Sequence, residues 1–324
     1  MSATHRLGAL LLATCLLAGC STTEGTPAAA ETRVFAADNG NITIPVKPQR
    51  VVATGYAVPA LLEADAPLVG ISAWSRGLLM MTAEDKATYE RLTKIAGETA
   101  AETDYEKIAL AKPDLIVIGV PAPVLGDIDV KRLEAIAPVV AIGPTIPDAW
   151  RELSRRQADA AGRMETFDQA RTAYEKQAAE VKAKYAPKLS GRRFGHLGGY
   201  GQVAKGNFMR EFNGSFGTNI AQDVGISYYG QVTKPGPGSL AVSENVSIEL
   251  LPESLRDSDV ITYTLEPDGS VGPAVKYVLD SPLWKSLPAV RAGRAIGVRY
   301  TQAATYGEAM LTLKALDSEL AGLK

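Results

Sequence analysis

The sequence predicts an α/β fold of two lobes with mainly parallel sheets, joined by one long, rigid helix. Three observations point there. Short β-branched runs alternate with helical spacing in both halves of the chain, one helical pattern of about 20 residues divides the halves, and the halves echo each other locally.

In chain order, His5 and Arg6 precede an apolar stretch from Leu7 to Leu17. It is shorter than the roughly 20 apolar residues of a membrane-crossing helix, but has the length and charge order of a secretory signal. Leu17-Ala18-Gly19-Cys20 then resembles the lipobox of bacterial lipoproteins. Residues 1–19 are therefore expected to be a signal peptide, Cys20 the acylated first residue of the mature chain, and 20–33 its anchor and tether, rich in Thr, Ala and Gly. An ordinary export signal with a chance cysteine at the cut is the alternative. Cys15 leaves with the signal, so no thiol remains for a disulfide, a zinc cluster or a nucleophile. Acyl chains hold a protein at a membrane surface without a transmembrane helix. The expected location is extracytoplasmic, lipid-anchored to the cell membrane.

The N-terminal lobe, 34–163, shows buried-strand runs at 50–55, 68–71, 114–119 and 139–143 with helical spacing between them. The connecting helix, 164–188, carries Thr166 and Gln169 at capping-box spacing. Phe167, Ala170, Tyr174, Ala178, Val181 and Tyr185 recur at three- and four-residue steps until Pro187 ends the pattern. Such a rod spans roughly 30 Å and can join two lobes while limiting their relative motion. The C-terminal lobe, 189–324, repeats the strand pattern at 193–197, 259–263 and 295–298. "DYEKIALAKPDLIVIG" (104–119) and "VSIELLPESLRDSDVITY" (246–263) share one order of polar residue, Glu, short helix, Asp and buried strand. Glu106 and Glu249 thus stand at equivalent ends of their lobes.

Composition narrows the function. The formal net charge is −2 and no run of Lys or Arg occurs, which argues against nucleic acid as a partner. Aromatics are 6% of the chain and most are Tyr, whose apolar body and polar tip suit a binding cleft. His196 is the one histidine beyond the signal, so no multi-histidine metal site is expected. It lies in a buried-strand pattern, with no G-x-S-x-G elbow to make it part of a hydrolytic triad. The glycine-rich "GHLGGYGQVAKG" lacks the GK[ST] ending of a phosphate loop and reads as a strand with tight turns.

The lipobox, "RVVATGYAVPALLEADAPLVGI", "EKIALAKPDLIVIG", the long helix, "SIELL" and "SPLWKSLPAVRAGRAIGV" occur in a recognisable order. The chain resembles, over nearly its whole mature length, the substrate-binding lipoproteins of ABC importers for ferric siderophores, haem and cobalamin. More narrowly, it resembles the ferrioxamine- and hydroxamate-siderophore binders of actinobacteria. The resemblance implies an iron chelate held between two lobes that change little on binding. It also implies no catalysis, no resident cofactor, and a monomer partnered by permease subunits whose arginines receive Glu106 and Glu249. As helix-start carboxylates favoured by the helix dipole, those two glutamates also have an adequate reading without a partner.

Pockets in open α/β sheets form at the carboxyl ends of strands. There stand Tyr56, Trp74 and Arg76 in the first lobe, and Tyr263, Arg299 and Tyr300 in the second. The stretch "AKGNFMREF", read as a loop, adds Lys205, Phe208 and Arg210 where relatives carry ligand-contacting residues. Tyr228 and Tyr229 lie on a further glycine-flanked loop, and Trp284 reads as structural. Some hydroxamate binders carry an arginine after the glycine corresponding to Gly97, whereas this chain has Glu98, which removes one expected donor. More aromatics than paired cations favours a near-neutral ferric trihydroxamate over a trianionic tricatecholate. Three alternatives stay open: a haem or cobalamin binder with Tyr56, Tyr263 or Tyr300 facing the macrocycle, an extracytoplasmic hydrolase with His196 as base, and a sensory ectodomain.

Overall fold

The computed structural model describes residues 31–200 and 205–323. The expected signal peptide, Cys20 and nearly all of the tether lie outside the described residues. Among the described residues, no helix is long and apolar enough to cross a membrane.

The N-terminal lobe begins with a hairpin that the sequence reading did not foresee, β1 (Thr32–Ala37) against β2 (Gly40–Pro45). Its inward residues Phe35 and Ile44 are buried against the main sheet's core. That sheet comprises β3 (Val51–Gly55), β4 (Leu68–Ser72), β5 (Lys94–Ala96), β6 (Leu115–Gly119) and β7 (Val139–Ala141). All its pairings are parallel, in the order β5-β4-β3-β6-β7. Helices cover both faces, so the strands are apolar on both sides. Val51, Ala53, Leu115 and Val117 enter one core with Leu61, while Val52, Ile116 and Ile118 enter the other with Ile95, Ile108 and Leu133. This is the two-residue alternation of a strand serving two layers.

The C-terminal lobe repeats the order. β8 (Phe194–Gly198), β9 (Asn207–Glu211), β10 (Ser243–Ser247), β11 (Val260–Thr264) and β12 (Ala295–Val298) assemble as β10-β9-β8-β11-β12. Here β8, β11 and β12 pair in parallel, while β9 alone is reversed and pairs antiparallel with both β8 and β10. The local echo therefore reflects matching topology, since Glu106 and Glu249 each precede the fourth strand of their sheet. The stretch read as a ligand loop is β9 itself. Because β9 lies between two partners, Phe208 and Arg210 are fully enclosed.

The joining helix runs Met164–Leu189, with Phe167, Tyr174, Ala178, Val181 and Tyr185 buried along one stripe. Its N-cap, Arg163, is three residues earlier than the capping-box spacing suggests. The preceding helix Trp150–Ala160 turns at Gly162, and Arg163 N–H donates back to Ala158 O at 2.8 Å, launching the next helix at once. Pro187 falls in the last turn, where its missing N–H forfeits one bond, and the helix closes with Ser190 N–H on Ala186 O. The final helix, Tyr306–Ala321, lies alongside. Tyr185 Oη donates to Asp317 O at 2.7 Å, and Lys188 Nζ donates to Ala321 O and Leu323 O at the helix's negative end.

The lobes meet at Trp150. Its indole packs edge-on against Tyr306 (4.9 Å between centroids) and Tyr174 (6.3 Å), and its Nε1 donates to Asn219 Oδ1 at 3.0 Å. Beside it, Asp223 Oδ2 accepts from both Arg151 and the Tyr174 hydroxyl at 2.5 Å. Asp148 N–H reaches Gly214 O at 3.1 Å. Trp150→Ala would leave a cavity and orphan Asn219, so a loss of about 3–5 kcal/mol in stability is expected, measured by denaturant unfolding.

Candidate functional site

A cleft of about 540 Å³ opens between the lobes. Its floor and walls are the segments that leave the carboxyl ends of strands, as open α/β sheets dictate. β3 ends at Gly55, whose φ of +58° lets the chain turn sharply and set Tyr56 at the mouth. Tyr56 N–H is held by Gly119 O at 2.8 Å. β6 is followed by Pro121, Ala122 and Pro123, and β7 by Pro144 to Pro147. The second lobe supplies Tyr200 after β8, Phe216, the Pro237–Ser239 turn and Ala303, and Trp150 closes the base. Tyr200 and Phe216 stack at 4.1 Å between centroids. Every lining residue among those described is uncharged.

A narrow recess continues from the cleft between Tyr56, Trp74, Arg76, Phe216, Gln302 and Glu308. Trp74 is held by its N–H on Tyr89 Oη at 2.8 Å and packs edge-on to Tyr56 at 5.0 Å. The Arg76 guanidinium lies 3.8 Å from the Trp74 ring centroid and 4.6 Å from that of Tyr56, a cation–π arrangement that fixes both rings. Burial pushes the Tyr56 hydroxyl up to about 12, with Arg76 pulling the other way. Glu98 accepts Ser75 N–H at 2.8 Å, so the carboxylate found in place of an arginine anchors the turn that carries Arg76.

Of the candidates read from the sequence, Tyr56, Trp74 and Arg76 come together. The others lie elsewhere. Phe208 and Tyr228 are enclosed in the second lobe's cores. Arg210, 2% exposed, gives its guanidinium to His196 O, Glu211 O and Tyr229 O instead of to a cleft. Tyr263 packs on the buried Trp284 at 6.0 Å, on the outer side of its sheet. Lys205 is exposed on the turn before β9, and Arg299 sits over the ring of Tyr300, outside the cleft lining. Glu106 and Glu249 are solvent-exposed. The sequence reading missed Trp150, Tyr200, Phe216 and the prolines. The prolines carried a usable signal, since "GVPAPV" and "IGPTIP" directly follow buried strands.

His196 is closed to solvent. Its Nδ1 pairs with Thr262 Oγ1 at 2.7 Å and its Nε2 with Thr264 Oγ1 at 3.2 Å, and burial, reinforced by Arg210, lowers it to about 3. A neutral imidazole with no path to the cleft is no general base for a bound substrate. Among the described residues, no group of three or more His, Cys, Asp or Glu could hold a metal ion.

A model of the periplasmic binding protein family matches residues 51–299. The chain belongs to this family. It is 25% identical over 301 residues to the iron(3+)-hydroxamate-binding protein YxeB of Bacillus subtilis, covering 89% of this chain and 86% of that one. It is 26% identical over 276 residues to the iron(3+)-hydroxamate-binding protein FhuD of the same organism, covering 82% and 78%. Its fold is similar to that of the siderophore periplasmic binding protein from the fuscachelin gene cluster of Thermobifida fusca. That likeness has a TM-score of 0.68 and 28% identity, over 86% of this chain and 99% of the other.

In this periplasmic binding protein, two carboxyls stand where the lobes meet at the recess, the half-buried Glu63 reaching across and the buried Glu308 bonding within its own lobe. Glu63 accepts Tyr306 N–H at 3.1 Å and Gly307 N–H at 2.6 Å, placing a first-lobe carboxylate on the N-terminus of the last helix. Glu308 accepts Ala304 N–H at 2.7 Å. Burial raises both, Glu308 to about 8, with Glu63 adding repulsion and Arg76 opposing it. Such groups bind protons more tightly folded than unfolded. Their contribution is full below the ordinary carboxylate range and is lost as pH rises through about 8 for Glu308. Glu308→Gln is expected to gain melting temperature relative to the parent progressively from about pH 5 to about pH 9, read by thermal unfolding.

Proposed function

We propose that this protein captures a ferric hydroxamate siderophore of the ferrioxamine type in the cleft and delivers it to an ABC importer, without chemistry and without a resident cofactor. The observation that carries the reading is the uncharged lining of the cleft. Three hydroxamates neutralise iron(III), whereas three catecholates leave a trianion that calls for clustered Arg or Lys. The siderophore brings its own oxygen ligands, so the cleft has to recognise only a rounded, largely apolar complex. Tyr56, Trp150, Tyr200 and Phe216 offer the faces for it, and the volume falls within the roughly 300–1,000 Å³ of small-molecule sites. Arg76 at the recess is the donor best placed for an exposed hydroxamate oxygen. The Bacillus relatives, named for binding iron(3+)-hydroxamates, support the same class.

Trp74 and Trp150 make ligand binding visible by intrinsic fluorescence. Saturable quenching at submicromolar ferrioxamine is expected, with weaker response to metal-free ligand and to a ferric catecholate. Phe216→Ala should weaken binding about tenfold. Saturation by haem or cobalamin in place of the hydroxamates would overturn the ligand assignment and leave the family intact.

Delivery is proposed to use Glu106 and Glu249, exposed at matching places in the two lobes, against arginines of the permease. The extracytoplasmic protein is proposed to be a monomer held at the membrane through Cys20. Reversing both charges, Glu106→Lys with Glu249→Lys, is expected to leave ligand affinity unchanged and suppress cellular uptake of the labelled iron complex. Uptake at the parent rate would refute the docking role.

A further inference from the structure

Behind the Tyr200–Phe216 face of the cleft lies a buried ionisable pair that ligand recognition does not use directly. Glu211, at the end of β9, is 1% exposed, and His196, opposite it on β8, is 0% exposed. Glu211 Oε2 accepts Gly217 N–H at 2.7 Å and lies 3.7 Å from His196 Nε2. Gly217 directly follows Phe216. Its Cα presses on the imidazole so closely that a methyl group there would overlap His196 Nε2. On the other side, a methyl group at Gly198 would overlap the Glu211 carboxylate, and two residues later the chain presents Tyr200. Both aromatic rings of this wall therefore spring from glycines seated on one carboxylate and its histidine neighbour.

The carboxylate has an unusual setting. Arg210, its neighbour in sequence, gives its guanidinium to three backbone carbonyls, with Glu244 and Tyr229 on its outer side. His196 is neutral and already engaged by Thr262 and Thr264, and the Tyr228 hydroxyl also goes to Thr262. Among the described residues, neither Ser215 Oγ nor Glu211 Oε1 has a hydrogen-bond partner, and the hydroxyl is near enough to favour the carboxylate electrostatically. No cation among the described residues forms an ion pair with it apart from the imidazole contact.

We propose that Glu211 is the positioning residue of the cleft's aromatic wall, a buried titratable carboxylate that seats Phe216 and Tyr200 and couples ligand affinity to its own protonation. A charged acceptor holds the Gly217 N–H more firmly than a protonated one. Burial raises Glu211 to about 7, opposed by the Gly217 bond, the nearby Ser215 hydroxyl and Arg210, so the change falls near neutral pH. Above it the seat is tight; below it the Phe216 turn loosens.

This inference rests on the proposed ligand only for its effect on affinity, so the test reads the ligand-free full chain as well. With ring-labelled Phe and Tyr, the NMR signals of Phe216 and Tyr200 are expected to shift with a single midpoint near neutral pH. In Glu211→Gln, which keeps an acceptor oxygen but cannot ionise, they should be flat. In Ser215→Ala, which removes a nearby hydroxyl favouring the carboxylate, the midpoint should move upward. Ferrioxamine affinity in the parent should weaken about fivefold on acidification across that midpoint and be independent of pH in Glu211→Gln. Rings that do not titrate in the parent, or that titrate equally in Glu211→Gln, overturn the proposal. Should the glutamine variant fail to fold, an unmoved midpoint in Ser215→Ala overturns it instead. Titrating rings in a protein that binds no ferric hydroxamate at any pH uphold the seat and refute the proposed ligand.

Discussion

The two lobes depend on a single aromatic side chain shared between them. Trp150 belongs to a helix of the first lobe, yet its neighbours are Tyr174 on the joining helix, Tyr306 at the start of the last helix and Asn219 in the second lobe. Its other edge is exposed to the cleft. Apolar burial there fixes the angle between the sheets. The directional bonds around it, Arg151 and Tyr174 on Asp223, prevent sliding. The cleft is therefore shaped by core packing, and its walls inherit the rigidity of a well-packed interior.

Elements whose own periodicity matched their burial were legible in advance. Strands β3, β4, β6, β7, β8, β11 and β12 read directly, because a strand buried on both faces is a continuous apolar run, whereas the three-residue β5 is too short to show one. The stripe of the joining helix read equally well. β9 did not, since "NFMRE" mixes charge and glycine-flanked ends in a way that imitates a loop. A buried arginine leaves no trace in sequence, because what makes it tolerable is three carbonyls contributed from separate places. Site residues followed the same division. Tyr56, Trp74 and Arg76 were found because they directly follow strands, whereas Trp150 and Phe216 reach the cleft only through the way the lobes fold together.

Charge is sorted by depth in this protein. The cleft lining is neutral, Arg76 and Glu308 stand at its inner recess, the half-buried Glu63 lies at the seam and Glu211 under the aromatic face. Buried carboxyls answered by backbone N–H groups instead of by cations hold their surroundings directionally while adding little field at the mouth. The neutral chelate proposed above would thus enter without displacing counter-ions.

The prolines along the cleft have a consequence for the thermodynamics of capture. Pro121, Pro123, Pro144, Pro147 and Pro237 fix φ along its rim and remove backbone donors that would otherwise hold water there. Loops of this composition have few conformations to lose, so a ligand meets a surface already ordered. Much of the entropy that a flexible loop would surrender on binding has already been given up during folding. Affinity can then come from a neutral, weakly hydrogen-bonding complex that offers little beyond its shape.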